Sequence, residues 1–119
     1  MDLEVFQRVV TVNLFGYVNV CKHTLPHLKK TKGLIVGISS LSGILGLVDR
    51  TAYCASKHAV EGFFNSLRLE IKEYEVDITV PAPSTIRGTN FRKNSLAPPE
   101  VLQGEEGSST VVELKDITD

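Results

Sequence analysis

The sequence predicts an α/β protein, a small part of a doubly wound parallel sheet covered by long helices. Three observations predict it. Apolar residues recur at steps of three and four along two long stretches, and a short β-branched run follows each stretch. The resulting order of helix, strand, helix, strand joins parallel strands through a crossover, which is right-handed in such sheets.

The first helix spans Asp2 to about Lys30, where Leu3, Phe6, Val9, Val10, Leu14, Tyr17, Val20, Cys21, Leu25 and Leu28 keep the amphipathic period. Asp2 and Glu4 lie at the positive end of its dipole, and Lys29, Lys30 and Lys32 at the negative end, as a solvated helix terminus. Pro26 is expected to bend or loosen the last turns. Gly33 then releases the chain into Leu34-Ile35-Val36-Gly37-Ile38, a run whose length and branching predict a strand buried on both faces. Residues 39–50, rich in serine and glycine, form a loop at that strand's end, where ligands bind in α/β sheets.

Thr51 is placed to cap a second helix that runs to about Tyr74, with Ala55, Ala59, Val60, Phe63, Leu67 and Ile71 as its buried stripe. Glycine inside a helix costs about 1 kcal/mol relative to alanine, so Gly62 predicts a close helix contact. Val76 to Val80 reads as a second strand, ended by Pro81 and Pro83, which have no N–H to donate. Residues 1–97 are expected to form the domain and 98–119 a loop or mobile tail, within which Val111 to Leu114 has the composition of a short strand.

Bulk properties narrow the function. With 13 basic and 14 acidic residues, the net charge of −1 gives no electrostatic footprint for nucleic acid or an acidic membrane. Cys21 and Cys54 have no disulfide or zinc spacing, so a reducing compartment is expected. His23 and His27, like Cys54 and His58, stand four apart on a helix, but neither pair has a third ligand, and no metal is expected. Apolar runs fall far short of the ~20 residues that span a bilayer, and no signal peptide is present. The chain reads as soluble.

The chemistry concentrates at Tyr53-Cys54-Ala55-Ser56-Lys57. A spacing of four on a helix puts phenol and ammonium on one face, one turn apart. A phenol is a poor base at neutral pH, and a fixed positive charge nearby favours its ionised form, so this pair suits proton exchange. A lone Tyr-x-x-x-Lys match is weak; its surroundings give it weight. Ser40 precedes Tyr53 by thirteen positions at the end of an apolar strand, and Thr11-Val12-Asn13-Leu14-Phe15-Gly16 lies upstream.

Together these features resemble the active-site signature of the short-chain dehydrogenases/reductases. The stretch from Tyr53 to Leu69, with Asn94-Ser95-Leu96, looks closest to the branch that holds dehydrogenase/reductase member 7 and the 11β-hydroxysteroid dehydrogenases. The resemblance implies a partial Rossmann-like fold and an NAD- or NADP-dependent oxidoreductase that interconverts a secondary alcohol and a ketone or aldehyde. Steroids, retinoids and other lipid-like molecules are the substrate classes it suggests. It assigns Tyr53 as general acid/base, Lys57 to the ribose hydroxyls, Ser40 to the substrate oxygen, and Asn13 to a water that links Lys57 to solvent. Cofactor contacts fall on Tyr53, Lys57, Pro83, Ser84 and Ile86, with Ser84 standing where the family usually has glycine. The N-terminal half that binds pyrophosphate and adenosine in that family has no counterpart, so this stretch alone is expected to be inactive. The resemblance further implies homo-oligomers paired through the two long helices, and a cytoplasmic or endoplasmic-reticulum-associated location for the full-length form. A non-catalytic module that pairs with full-length subunits through those helices is the alternative.

Overall fold

The computed structural model describes residues 2–86, 96 and 111–112. The first helical stretch is continuous but not uniform. Helix α1 (Leu3–Val10) passes into a π-helical turn (Thr11–Phe15) and then into α2 (Gly16–Thr31), which runs on through Pro26. Asp2 caps α1, its carboxylate accepting from the Glu4 N–H at 2.9 Å and the Val5 N–H at 3.3 Å, two of the donors a helix start leaves unpaired. At the other end the left-handed residue is Lys32 and not Gly33, with φ 54°, and its side chain pairs with Glu75.

Strand β1 (Leu34–Val36) and strand β2 (Asp77–Thr79) pair in parallel, Ile35 opposite Ile78. Between them lie a 3₁₀ turn (Leu41–Gly43), helix α3 (Thr51–Glu70) and a second 3₁₀ turn (Lys72–Tyr74). Strand β3 (Thr85–Ile86) pairs in parallel with β4 (Val111–Val112), so the expected strand near Val111 forms; the rest of 98–119 and the segment Asn94-Ser95 lie outside the described residues.

The core forms where α3 crosses the sheet and α2. Val60, Phe64 and Leu67 recur on one face of α3 and are buried with Ile71 at its C-terminal cap, Cys21 of α2 and Val76; Leu25, Leu28, Ile35 and Ile78 pack against them. Phe64 is 0% exposed, and its ring meets Tyr17 edge-on at 5.2 Å and Phe63 at 5.1 Å. At Gly37 a Cβ would lie 2.2 Å from the Phe64 ring, so only glycine lets the strand end approach α3 this closely.

Several expectations are corrected. Arg50, not Thr51, occupies the cap position of α3, and Thr51 is its first residue. The expected buried stripe holds at Val60, Leu67 and Ile71, but Cys54, Ser56 and Phe64 are buried as well, while Ala59 and Phe63 are half-buried and Ala55 is exposed. Gly62 has no described atom within 4 Å of where a Cβ would stand, so no close helix contact explains it. Strand β1 is covered on one face only. Ile35 and Gly37 face α3, whereas Leu34, Val36 and Ile38 are 57%, 50% and 48% exposed. The apolar run signals burial, but nothing among the described residues covers that second face.

Candidate active site

The end of β1 continues alongside the residues after β2. The N–H groups of Gly37, Ser39 and Leu41 donate to the carbonyls of Thr79, Pro81 and Pro83 at 2.9, 2.9 and 3.0 Å. The prolines lack donors, but their carbonyls still accept, so the ladder outlasts the strand proper. This zipper sets Ser40 beside the segment that leads to Ser84 and Ile86, both half-buried. Of the expected cofactor contacts, Pro83 is thus fixed through its carbonyl.

Ser40 has extended backbone and caps the 3₁₀ turn, its Oγ accepting from the Ser42 N–H at 3.2 Å. That leaves its O–H free to donate, since a hydroxyl is both acceptor and donor. The 3₁₀ turn sits tightly on α3: a Cβ at Gly43 would lie 2.8 Å from Ser39 Oγ and 3.0 Å from the Lys57 carbonyl. Ser39 itself is buried, and its Oγ has no partner among the described residues.

Tyr53 and Lys57 share one side of α3, with Lys57 Nζ 5.8 Å from the centre of the Tyr53 ring. The ammonium donates to the Ile38 carbonyl at 3.0 Å, which ties it to the strand end two residues before Ser40. The spacing of four therefore puts the pair where the loop of residues 39–50 begins. Burial pushes the Lys57 ammonium below its usual range, and the Glu61 carboxylate one turn on partly opposes that shift.

Asn13 lies in the π-helical turn, a feature frequent at functional sites. Its Nδ2 donates to Ser56 Oγ at 3.0 Å, and the Ser56 hydroxyl donates to the Tyr53 carbonyl at 2.7 Å. The long helix is thereby tied to the turn of α3 that carries Tyr53 and Lys57. Two contributors were missed from sequence. Ser56 is 0% exposed and links Asn13 to Tyr53; its position four before Val60 was the available signal. Tyr17, read only as part of an apolar stripe, donates its hydroxyl to the Ile38 carbonyl at 3.0 Å.

Both cysteines are free and buried, and burial pushes the Cys21 thiol up, away from thiolate chemistry. Among the described residues no cluster of three or more His, Cys, Asp or Glu side chains is arranged to hold a metal, and no helix is long and apolar enough to cross a membrane.

The depressed Lys57 pKa has a measurable consequence. Between the folded and the unfolded pKa the unfolded chain binds more protons, so this group makes stability rise with pH up to about 10.4, the ordinary lysine value. Below that window the burial penalty is present in full. Lys57→Met is expected to remove the rise and to increase stability at neutral pH, because Tyr17 still serves the Ile38 carbonyl. Urea midpoints of both chains across the alkaline range check this; parallel curves would contradict it.

Residues 1–99 match the family model described as short chain dehydrogenase. Among curated proteins the chain is similar to dehydrogenase/reductase SDR family member 7C of Xenopus tropicalis, at 33% identity over 97% of this chain and 42% of that protein. Member 7B of Rattus norvegicus is 36% identical over 98% of this chain and 38% of that protein. Among solved structures, a short chain dehydrogenase from Burkholderia cenocepacia J2315 in complex with NADP aligns at TM-score 0.73 and 26% identity, covering 94% of this chain and 50% of that one. The chain thus spans half or less of the length of each.

Proposed function

Because the chain belongs to the short-chain dehydrogenase family, we propose that the whole protein is an NAD- or NADP-dependent oxidoreductase interconverting a secondary alcohol and a ketone or aldehyde. The observation that carries this is the joint placement of Tyr53 and Lys57, 5.8 Å from ring centre to ammonium, at the strand end that holds Ser40. The Tyr53 hydroxyl makes no hydrogen bond among the described residues, so it is free to give its proton to a substrate oxygen and to take it back in the reverse direction. Ser40 donates its unspent O–H to the same oxygen and steadies the charge that develops there. Lys57 has three donors and no acceptor, which suits its ammonium to turn from the Ile38 carbonyl to the vicinal hydroxyls of a ribose. Asn13 spends its amide N–H on Ser56 and keeps Oδ1 for a water that passes protons between Lys57 and solvent.

A bound nicotinamide ring supplies or accepts the hydride. Donors for the ribose end are present on Lys57, with Pro83, Ser84 and Ile86 beside the zipper as further contacts. A glycine-rich phosphate turn is not found among the described residues, so turnover is assigned to a protein that also supplies one. Ile44, Leu45, Leu47 and Val48 are exposed between Ser40 and Tyr53, which favours a lipid-like substrate such as a steroid or retinoid. The test is ketone-dependent oxidation of NADH or NADPH by the whole protein; no turnover with a broad set of apolar ketones and aldehydes would remove the reading.

A second reading has its own observation. Val12, Phe15 and Val20 on the long helix, and Leu69 on α3, are large apolar side chains exposed to solvent. Such helix faces suit pairing with another subunit. Mixed with a full-length relative, the chain is expected to co-elute with it in size-exclusion chromatography, and two unchanged peaks would reject the pairing.

A further inference from the structure

The Ile38 carbonyl accepts two hydrogen bonds from two different helices, from Tyr17 Oη at 3.0 Å and from Lys57 Nζ at 3.0 Å. The reason lies in the ladder. Gly37, Ser39 and Leu41 direct their N–H groups toward β2 and the prolines after it, so Ile38 faces the opposite edge of β1. No described strand pairs with that edge. A carbonyl has two lone pairs, and both donors fit at once. The two are unequal in mobility. The Tyr17 ring is set edge-on against the fully buried Phe64 at 5.2 Å, whereas Lys57 ends a flexible four-carbon stem.

We propose that Tyr17 is a positioning residue for Lys57: its phenol keeps the Ile38 carbonyl satisfied, so the ammonium can leave that carbonyl for the ribose of a nicotinamide cofactor. The cofactor part rests on the function proposed above; the competition for Ile38 does not. With Tyr17 in place, release of Lys57 strands no acceptor. Without it, Lys57 is the one donor left to that carbonyl among the described residues, and the ammonium is held back. Nothing about the Tyr53 hydroxyl or Ser40 changes, so the effect falls on cofactor capture and not on proton transfer.

Tyr17→Phe tests this cleanly, because it keeps the ring against Phe64 and removes only the hydroxyl. In the chain itself, acylation of lysine amines followed by mass spectrometry is expected to label Lys57 about threefold or more slowly in the variant. The exposed Lys22 and Lys72 serve as internal references and keep their rates. Unchanged or faster labelling of Lys57 overturns the proposal. In the whole protein the variant is expected to bind NADH or NADPH about threefold or more weakly, with kcat at saturating cofactor within about twofold. A fall in kcat with unchanged cofactor affinity also overturns it. If the unaltered whole protein binds neither nucleotide, the oxidoreductase reading fails, while the labelling rates still decide whether Tyr17 and Lys57 compete for Ile38.

Discussion

Replacing Tyr53 by phenylalanine is expected to lower carbonyl reduction by the whole protein by about 10²- to 10⁴-fold, the usual worth of a positioned general acid. The substitution leaves nearly everything else in place. Tyr53 sits near the start of α3, and the ring is retained. Its hydroxyl donates to nothing described, so removal strands no partner. Its backbone carbonyl still accepts from Ser56, and Lys57 still donates to Ile38. Thermal stability is therefore expected to stay within about 0.5 kcal/mol of the parent. A group that acts only as the proton moves should depress kcat and kcat/KM together and leave cofactor affinity alone. Steady-state kinetics with a nucleotide titration separate the cases. A rate that survives removes Tyr53 as the acid, and a rate lost together with cofactor binding assigns it to holding the nucleotide instead.

How far the sequence announced this site depends on which physical rule was being read. The sharing of one α3 side by Tyr53 and Lys57 follows from a spacing of four, which helix geometry alone enforces. The parallel pairing of β1 and β2 likewise follows from strands joined by a long helix. What failed to show is what period alone leaves undetermined. Phe63 and Phe64 are adjacent and equally apolar, and only the close approach of Gly37 selects Phe64 as the buried ring. The π-helical turn around Asn13 holds an extra residue, turning α2 relative to α1 by about 100°, yet steps of three and four survive such a slip and hide it. The hydrogen bonds from Asn13 to Ser56 and from Tyr17 to Ile38 span 43 and 21 residues, and no local pattern encodes them. Strand β1 was read as covered twice because apolar content reports the wish for burial and not the cover.

The contact between Gly37 and Phe64 makes a second prediction with a large effect, and its sign is unusual. Gly37→Ala places a methyl 2.2 to 2.8 Å from three carbons of the Phe64 ring, which is fully buried and packs edge-on against Tyr17 and Phe63. Overpacking of this kind costs about 1–3 kcal/mol. Phe64→Ala removes the largest fully buried side chain among the described residues and is expected to cost about 3–5 kcal/mol, a large part of the stability of any small domain. Combined, the two should cost less than their sum, because the methyl at 37 enters space the ring has vacated; a coupling of about 1–3 kcal/mol is expected. Denaturant unfolding of the parent, both single variants and the double variant of the whole protein measures it. Additive losses would mean that the ring is not what excludes a side chain at 37. The site feels the same contact, since Ile38 and Ser40 follow directly on Gly37. A strand end pushed off α3 draws the Ile38 carbonyl away from Lys57 and shifts Ser40 with it, so Gly37→Ala should also slow turnover, and the Phe64→Ala background should soften that loss in step with the stability.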